Sequence, residues 1–136
     1  MTPLSDHELR SAFEAGTLKG EQFRHADHVR MAWMYLRDLP LVVVLDRFPA
    51  GIRRLAQALN QPTLYHETIT WAYVLLIHER IERSGAGNSW ADFAAHHPDL
   101  LTWKPSVLDA YYSPETLASD LAKRVFLLPD RGIRTF

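Results

Sequence analysis

The chain has 136 residues, of which 47% are hydrophobic and 23% charged, with a formal net charge of −1 and no cysteine. A single domain with its own core fits that length and composition, and the lack of thiols removes disulfides, thiolate metal sites and cysteine nucleophiles together. Near-neutral charge without a Lys/Arg run argues against a nucleic-acid partner, and neither a membrane-length apolar run nor a secretory leader pattern stands in the sequence, so the expected setting is cytoplasmic.

Ser5 with Glu8 three residues on is a capping-box pattern, and Leu9, Ala12 and Phe13 follow at helical spacing, which predicts a first helix over 6–15. After a loop at 16–22, the stretch FRHADHVRMAWMYLRDL places His25, His28, Val29, Ala32, Trp33 and Leu36 on one core-facing stripe. Both histidines thus occupy positions where apolar residues are expected. Pro40 suits the first turn of a third helix, LVVVLDRFPAGIRRLAQALN, whose interior Pro49 and Gly51 should kink or interrupt it.

Asn60, Gln61 and Pro62 form a connection, and Thr63 is the expected N-cap of a fourth helix over 63–83. From Ile69 to Ile77 every residue but Thr70 is apolar or aromatic, so this helix should be surrounded by others. Its length of roughly 30 Å would bring its first turn to one end of the molecule. The segment SGAGN at 84–88 ends it, and Ser89 begins a short helix stopped by Pro98. Residues 99–112 read as irregular, with a helical turn near 107–110. Ser113-Pro114-Glu115 starts a last helix to about Leu127, with Leu117, Leu121, Val125 and Phe126 inward. With tails at 1–4 and 130–136, the expected architecture is one all-α domain over 1–136, an irregular bundle of five or six helices around the central one.

Short connections make successive helices antiparallel, so the second and fourth helices should start at the same end of the bundle. That end would gather His25 and His28, one turn apart on a single face, with His66 and Glu67. Three imidazoles from two parallel helix starts suit a divalent transition metal (Zn, Fe, Mn, Ni or Cu), with Glu67 as a further ligand or as a general base. Thr70 and Tyr73 continue along the central helix as hydroxyls that would assist catalysis, and Thr68 lies beside them. The expected function is a small metal-dependent enzyme acting on a small molecule.

Two other readings compete with it. One is a metal-free enzyme in which neutral His66 and Glu67 do acid-base work in a pocket walled by Trp33 and Tyr73. The other is an interaction module with an aromatic C-terminal surface around Tyr111 and Tyr112, and an exposed apolar face would also serve a homodimer. Each residue has a structural reading as well: histidines bonded to backbone or to Asp27, Glu67 favoured by the helix dipole, threonines bonded one turn back. Arg53 and Arg54 are either surface cations or recognition groups for an anionic substrate.

The segments FRHADHVRMAWMYL, RFPAGIRRLA, YHETITWAYVLLIHER and YYSPETLASDLAKRVFLLPD together resemble a family of small all-α bacterial proteins usually left without an assigned function. The resemblance spans about 23–130 and implies no reaction. His25-Ala26-Asp27-His28 does not reproduce the adjacent His-Asp pair of the all-α metal phosphohydrolases.

Overall fold

The computed structural model describes residues 4–131, and among them every regular element is helical. Helix α1 (Asp6–Ala15) opens with both arms of the capping box: Glu8 N–H donates to Ser5 Oγ at 3.2 Å and Ser5 N–H to Glu8 Oε1 at 2.9 Å. It buries Leu9 and Phe13 and is tied to α2 (His25–Asp38) by the Arg30 guanidinium, which donates to Asp6 Oδ1 at 3.0 and 2.6 Å. Besides the expected stripe, α2 buries Met31, Met34 and Tyr35, so it is enclosed on more than one face.

Helix α3 (Leu41–Ala58) runs through Pro49 without interruption. Proline removes only one intrahelical donor, and here its ring is buried in the core rather than set against solvent. Gly51 marks a close approach instead of a break. A Cβ at that position would lie 2.4 Å from Phe13 Cζ, so the missing side chain is what lets the α1 aromatic seat on α3.

The central helix α4 (Glu67–Ser84) packs against α2, α3 and the later helix at Asp120–Arg124. It starts later than the sequence predicts. Pro62–Leu64 forms a separate 3-10 turn, the backbone is extended at Tyr65 and His66, and His66 is the N-cap, its Nδ1 accepting the Ile69 N–H at 3.1 Å. Gly85 (φ 86°) ends the helix, and α5 (Trp90–His96) follows from its Ser89 cap. The expected irregular stretch contains two 3-10 turns, Pro98–Leu101 and Val107–Ala110.

The expected last helix is two short ones, α6 (Pro114–Ala118) and α7 (Asp120–Arg124). Ser119 divides them. Its backbone is extended, and its hydroxyl donates to the Thr116 carbonyl while accepting from Ala122 N–H, so it ends one helix and caps the next. The shift in register buries Ala122 and leaves Leu121 and Val125 outward, contrary to the sequence reading. Residues 1–3 and 132–136 of the expected tails lie outside the described residues, whereas Asp130 accepts from Ser113 N–H at 2.9 Å and Arg131 N–H donates to the Tyr111 carbonyl at 2.8 Å.

Gly51→Ala is expected to cost about 1–3 kcal/mol through overpacking against Phe13, measured by urea unfolding. Truncating the ring in Phe13→Leu/Gly51→Ala should recover part of that loss, because the clash is with the ring edge.

Candidate small-molecule site

The starts of α2 and α4 meet at one cavity of ≈ 470 Å3, as the antiparallel order of α2, α3 and α4 requires. His25 and His28 line it from α2, and His66, Thr70 and Tyr73 line it from the start of α4. Val29, Ala32, Phe48, Ile52, Leu64 and Ile69 supply apolar walls, and Trp103 stands beside His25. A mostly apolar concavity of this size with a few convergent polar groups is the usual form of a small-molecule site.

The three imidazoles have different duties. His66 has both ring nitrogens engaged: Nδ1 caps α4, and Nε2–H donates to the Leu117 carbonyl of α6 at 2.7 Å. His25 Nε2 lies 2.9 Å from the Leu100 carbonyl, which only accepts, so Nε2 carries the proton and Nδ1 keeps its lone pair. His28 stacks on the Phe23 ring with centroids 4.0 Å apart. Every buried side-chain nitrogen or oxygen among the described residues has a partner, so the uncommitted nitrogens of His25 and His28 meet open space rather than packed hydrocarbon.

The Leu100 carbonyl is itself held firmly. Arg80 of α4 donates to Asp99 at 3.0 and 2.6 Å and to His97 Nδ1 at 3.0 Å, pinning the 3-10 turn that carries Leu100. The Tyr73 ring meets His25 edge-on at 4.9 Å and Trp103 lies at 5.1 Å. Tyr73 Oη is 2.9 Å from Ser106 Oγ, which also accepts the Leu108 N–H. Thr70 donates to the His66 carbonyl one turn back, at 2.7 Å.

Burial lowers the pKa of all three histidines. For His28 the shift reaches about 4, burial acting first and the neighbouring His25 adding to it, with the Phe23 carbonyl opposing. For His66 the Lys123 charge contributes after burial and is opposed by the Leu117 carbonyl. Burial also raises Tyr73, so its hydroxyl stays protonated at neutral pH. The cavity therefore holds neutral imidazoles and a neutral phenol.

Glu67 does not join the histidines. Tyr65 Oη donates to its carboxylate, and Arg53 approaches the same oxygen at 3.7 Å while stacking over the Tyr65 ring at 4.6 Å. Among the described residues no group of three or more His, Asp or Glu is placed to hold a metal ion; His66 is committed twice and Glu67 is engaged by Tyr65 and Arg53. Asp27 is likewise occupied locally, accepting the Arg24 N–H at 2.9 Å. Trp33 is not a wall of the cavity either: it is fully buried and donates its indole N–H to the Ala86 carbonyl at 2.9 Å.

The chain matches no family model, and no curated protein or solved structure matches it at a significant level. The sequence reading names Tyr65 and Trp103 as aromatics near this end but does not single out Lys123 or the α3 pair Phe48 and Ile52. The α3 residues carried a usable signal, since both lie on the apolar stripe of α3 halfway along a helix antiparallel to α4. Trp103 and Lys123 depend on loop and arm geometry that no local pattern encodes.

A buried histidine with a lowered pKa binds its proton in the unfolded chain before the folded one. Its contribution is thus fully present above about pH 6.5 and is lost as pH falls toward 4. Stability in urea should fall over that window by roughly 2–3 kcal/mol from His28, with His25 and His66 acting in the same direction. His28→Phe should flatten the profile, and an unchanged slope in that variant would mean His28 is not the titrating group.

Proposed function

We propose that the protein binds a small, largely apolar molecule in this cavity and carries out metal-free proton transfer on it, with His25 as the base. The observation that supports this reading is the His25 ring: Nε2–H is fixed on the Leu100 carbonyl and Nδ1 stays unprotonated on a cavity able to hold a ligand. A general base needs that tautomer, that neutrality and a water-poor setting. Tyr73 supplies a protonated hydroxyl beside the base, oriented through Ser106 and suited to donate to an oxygen on which charge develops. His28 keeps the floor of the cavity uncharged. Thr70 and His66 set the start of α4, and Glu67 acts at the mouth by holding Tyr65 and Arg53.

A metal-dependent reading retains one supporting observation. Metal-ligating imidazoles commonly donate their other N–H to a backbone carbonyl, as His25 does, and His28 follows one turn later. Zn, Fe, Mn, Ni or Cu would still lack a third protein donor, which such sites ordinarily have. The metal-free reading is therefore the better supported.

Deuterium incorporation from D2O into a panel of small carbonyl compounds with acidic C–H bonds, followed by NMR, tests the reading without a known product. Exchange should survive EDTA, rise with pH through a group below 6.5 and fall about 10²-fold or more in His25→Gln. Exchange that persists in His25→Gln, or that disappears with chelator and returns with one metal, would overturn it. His66→Ala should cost about 1–2 kcal/mol in stability through the lost cap, and His66→Asn should restore part of it; loss of a stoichiometric metal from His66→Ala, by elemental analysis of untagged protein, would favour the metal reading instead.

A further inference from the structure

A second, polar cleft of ≈ 530 Å3 adjoins the histidine cavity and shares Thr63, Tyr65 and Lys123 with it. Arg53 and Arg124 also line it, with Asp120 opposing. Lys123 and Arg124 make no ion pair among the described residues, and Arg53 meets Glu67 only at 3.7 Å. Three cations against the Asp120 and Glu67 carboxylates leave a small positive excess at the point where apolar walls give way to polar ones.

We infer that the ligand is an amphipathic monocarboxylate, its apolar body among Phe48, Ile52 and Trp103 and its carboxylate on Lys123 at the junction of the two clefts. The inference rests on the cavity being the binding site. Lys123 is exposed and lines both clefts, so an anionic end at the rim can reach its ammonium while the apolar body lies inward. A dianion such as a phosphate monoester would exceed the local charge excess and meet Asp120 and Glu67. A single carboxylate answers the available charge, and it accepts hydrogen bonds from an ammonium held at the rim. The Arg53 guanidinium, stacked over Tyr65, is poised at the same rim and adds long-range attraction.

The test uses two matched probes, 1-naphthylacetate and 1-naphthylacetamide, titrated by fluorescence against the full chain. The carboxylate should bind about tenfold or more tightly than the amide, a gap that shrinks with added salt and closes in Lys123→Met while Lys123→Arg retains it. Lys123 is exposed, so these variants should melt with the wild type. The control variant Ile52→Trp fills the cavity and should abolish binding of both probes. Equal affinity for acid and amide, with both lost in Ile52→Trp, overturns the carboxylate assignment and leaves the cavity reading standing. Acid binding that is lost in Lys123→Met but survives Ile52→Trp marks an outer surface site and overturns the assignment too. Failure of both probes to bind overturns the cavity reading and this inference with it.

Discussion

His66 bridges two parts of the chain that are 51 residues apart in sequence, and most of what surrounds the cavity depends on that bridge. One ring nitrogen accepts the orphan Ile69 amide and so fixes where the central helix begins; the other donates to Leu117 and so fixes where the C-terminal arm lies against it. Such a ring must be neutral, because a protonated Nδ1 cannot accept. Burial and the nearby Lys123 charge both favour that neutral form. Thr68 repeats the device two residues later, donating to the Val125 carbonyl and accepting from the Leu127 N–H. The polar residues that open α4 thus act first as joints.

Those joints divide the cavity from the cleft beside it. On one side stand His25, His28 and Tyr73, all neutral, among hydrocarbon walls. On the other stand Arg53, Arg124 and Asp120, with Lys123 reaching both. The interior walls are mostly apolar, whereas the rim carries the charged side chains. The Arg80 network serves the interior from a distance, since the bonds to Asp99 and His97 hold the Leu100 carbonyl in place and with it the His25 tautomer.

Helical periodicity made the core legible in the sequence. The capping box at Ser5, the α2 stripe, the buried run of α4 and the Ser89 cap are all local signals, and each corresponds to an observed element. Alternation of helix direction was enough to bring His25, His28 and His66 to one end. What local pattern could not carry was the direction of individual rings. The pull of Leu100 and Leu117 carbonyls on His25 and His66 comes from segments 75 and 51 residues away. Glu67 is engaged by Tyr65 and Arg53 instead, a placement that depends on the extended backbone before α4. Ser119 misled in a different way: a hydroxyl able to end one helix and start another looks like any polar residue in a continuous stripe.

The arm from Ser113 to Asp130 is fastened differently from the rest. Helix α6 has no fully buried residue and α7 has only Ala122, so beside the Phe126–Trp71 stack and the partly buried Leu117 the arm is held by hydrogen bonds from His66, Thr68 and Tyr112. A segment with so little buried hydrocarbon belongs to the least costly class of cooperative opening. Lifting it would remove Lys123 from the cavity wall and break the bonds that His66 and Thr68 make to it. Local opening of this strap should therefore respond to pH and hydrogen-bond competitors more than to the packing of the core.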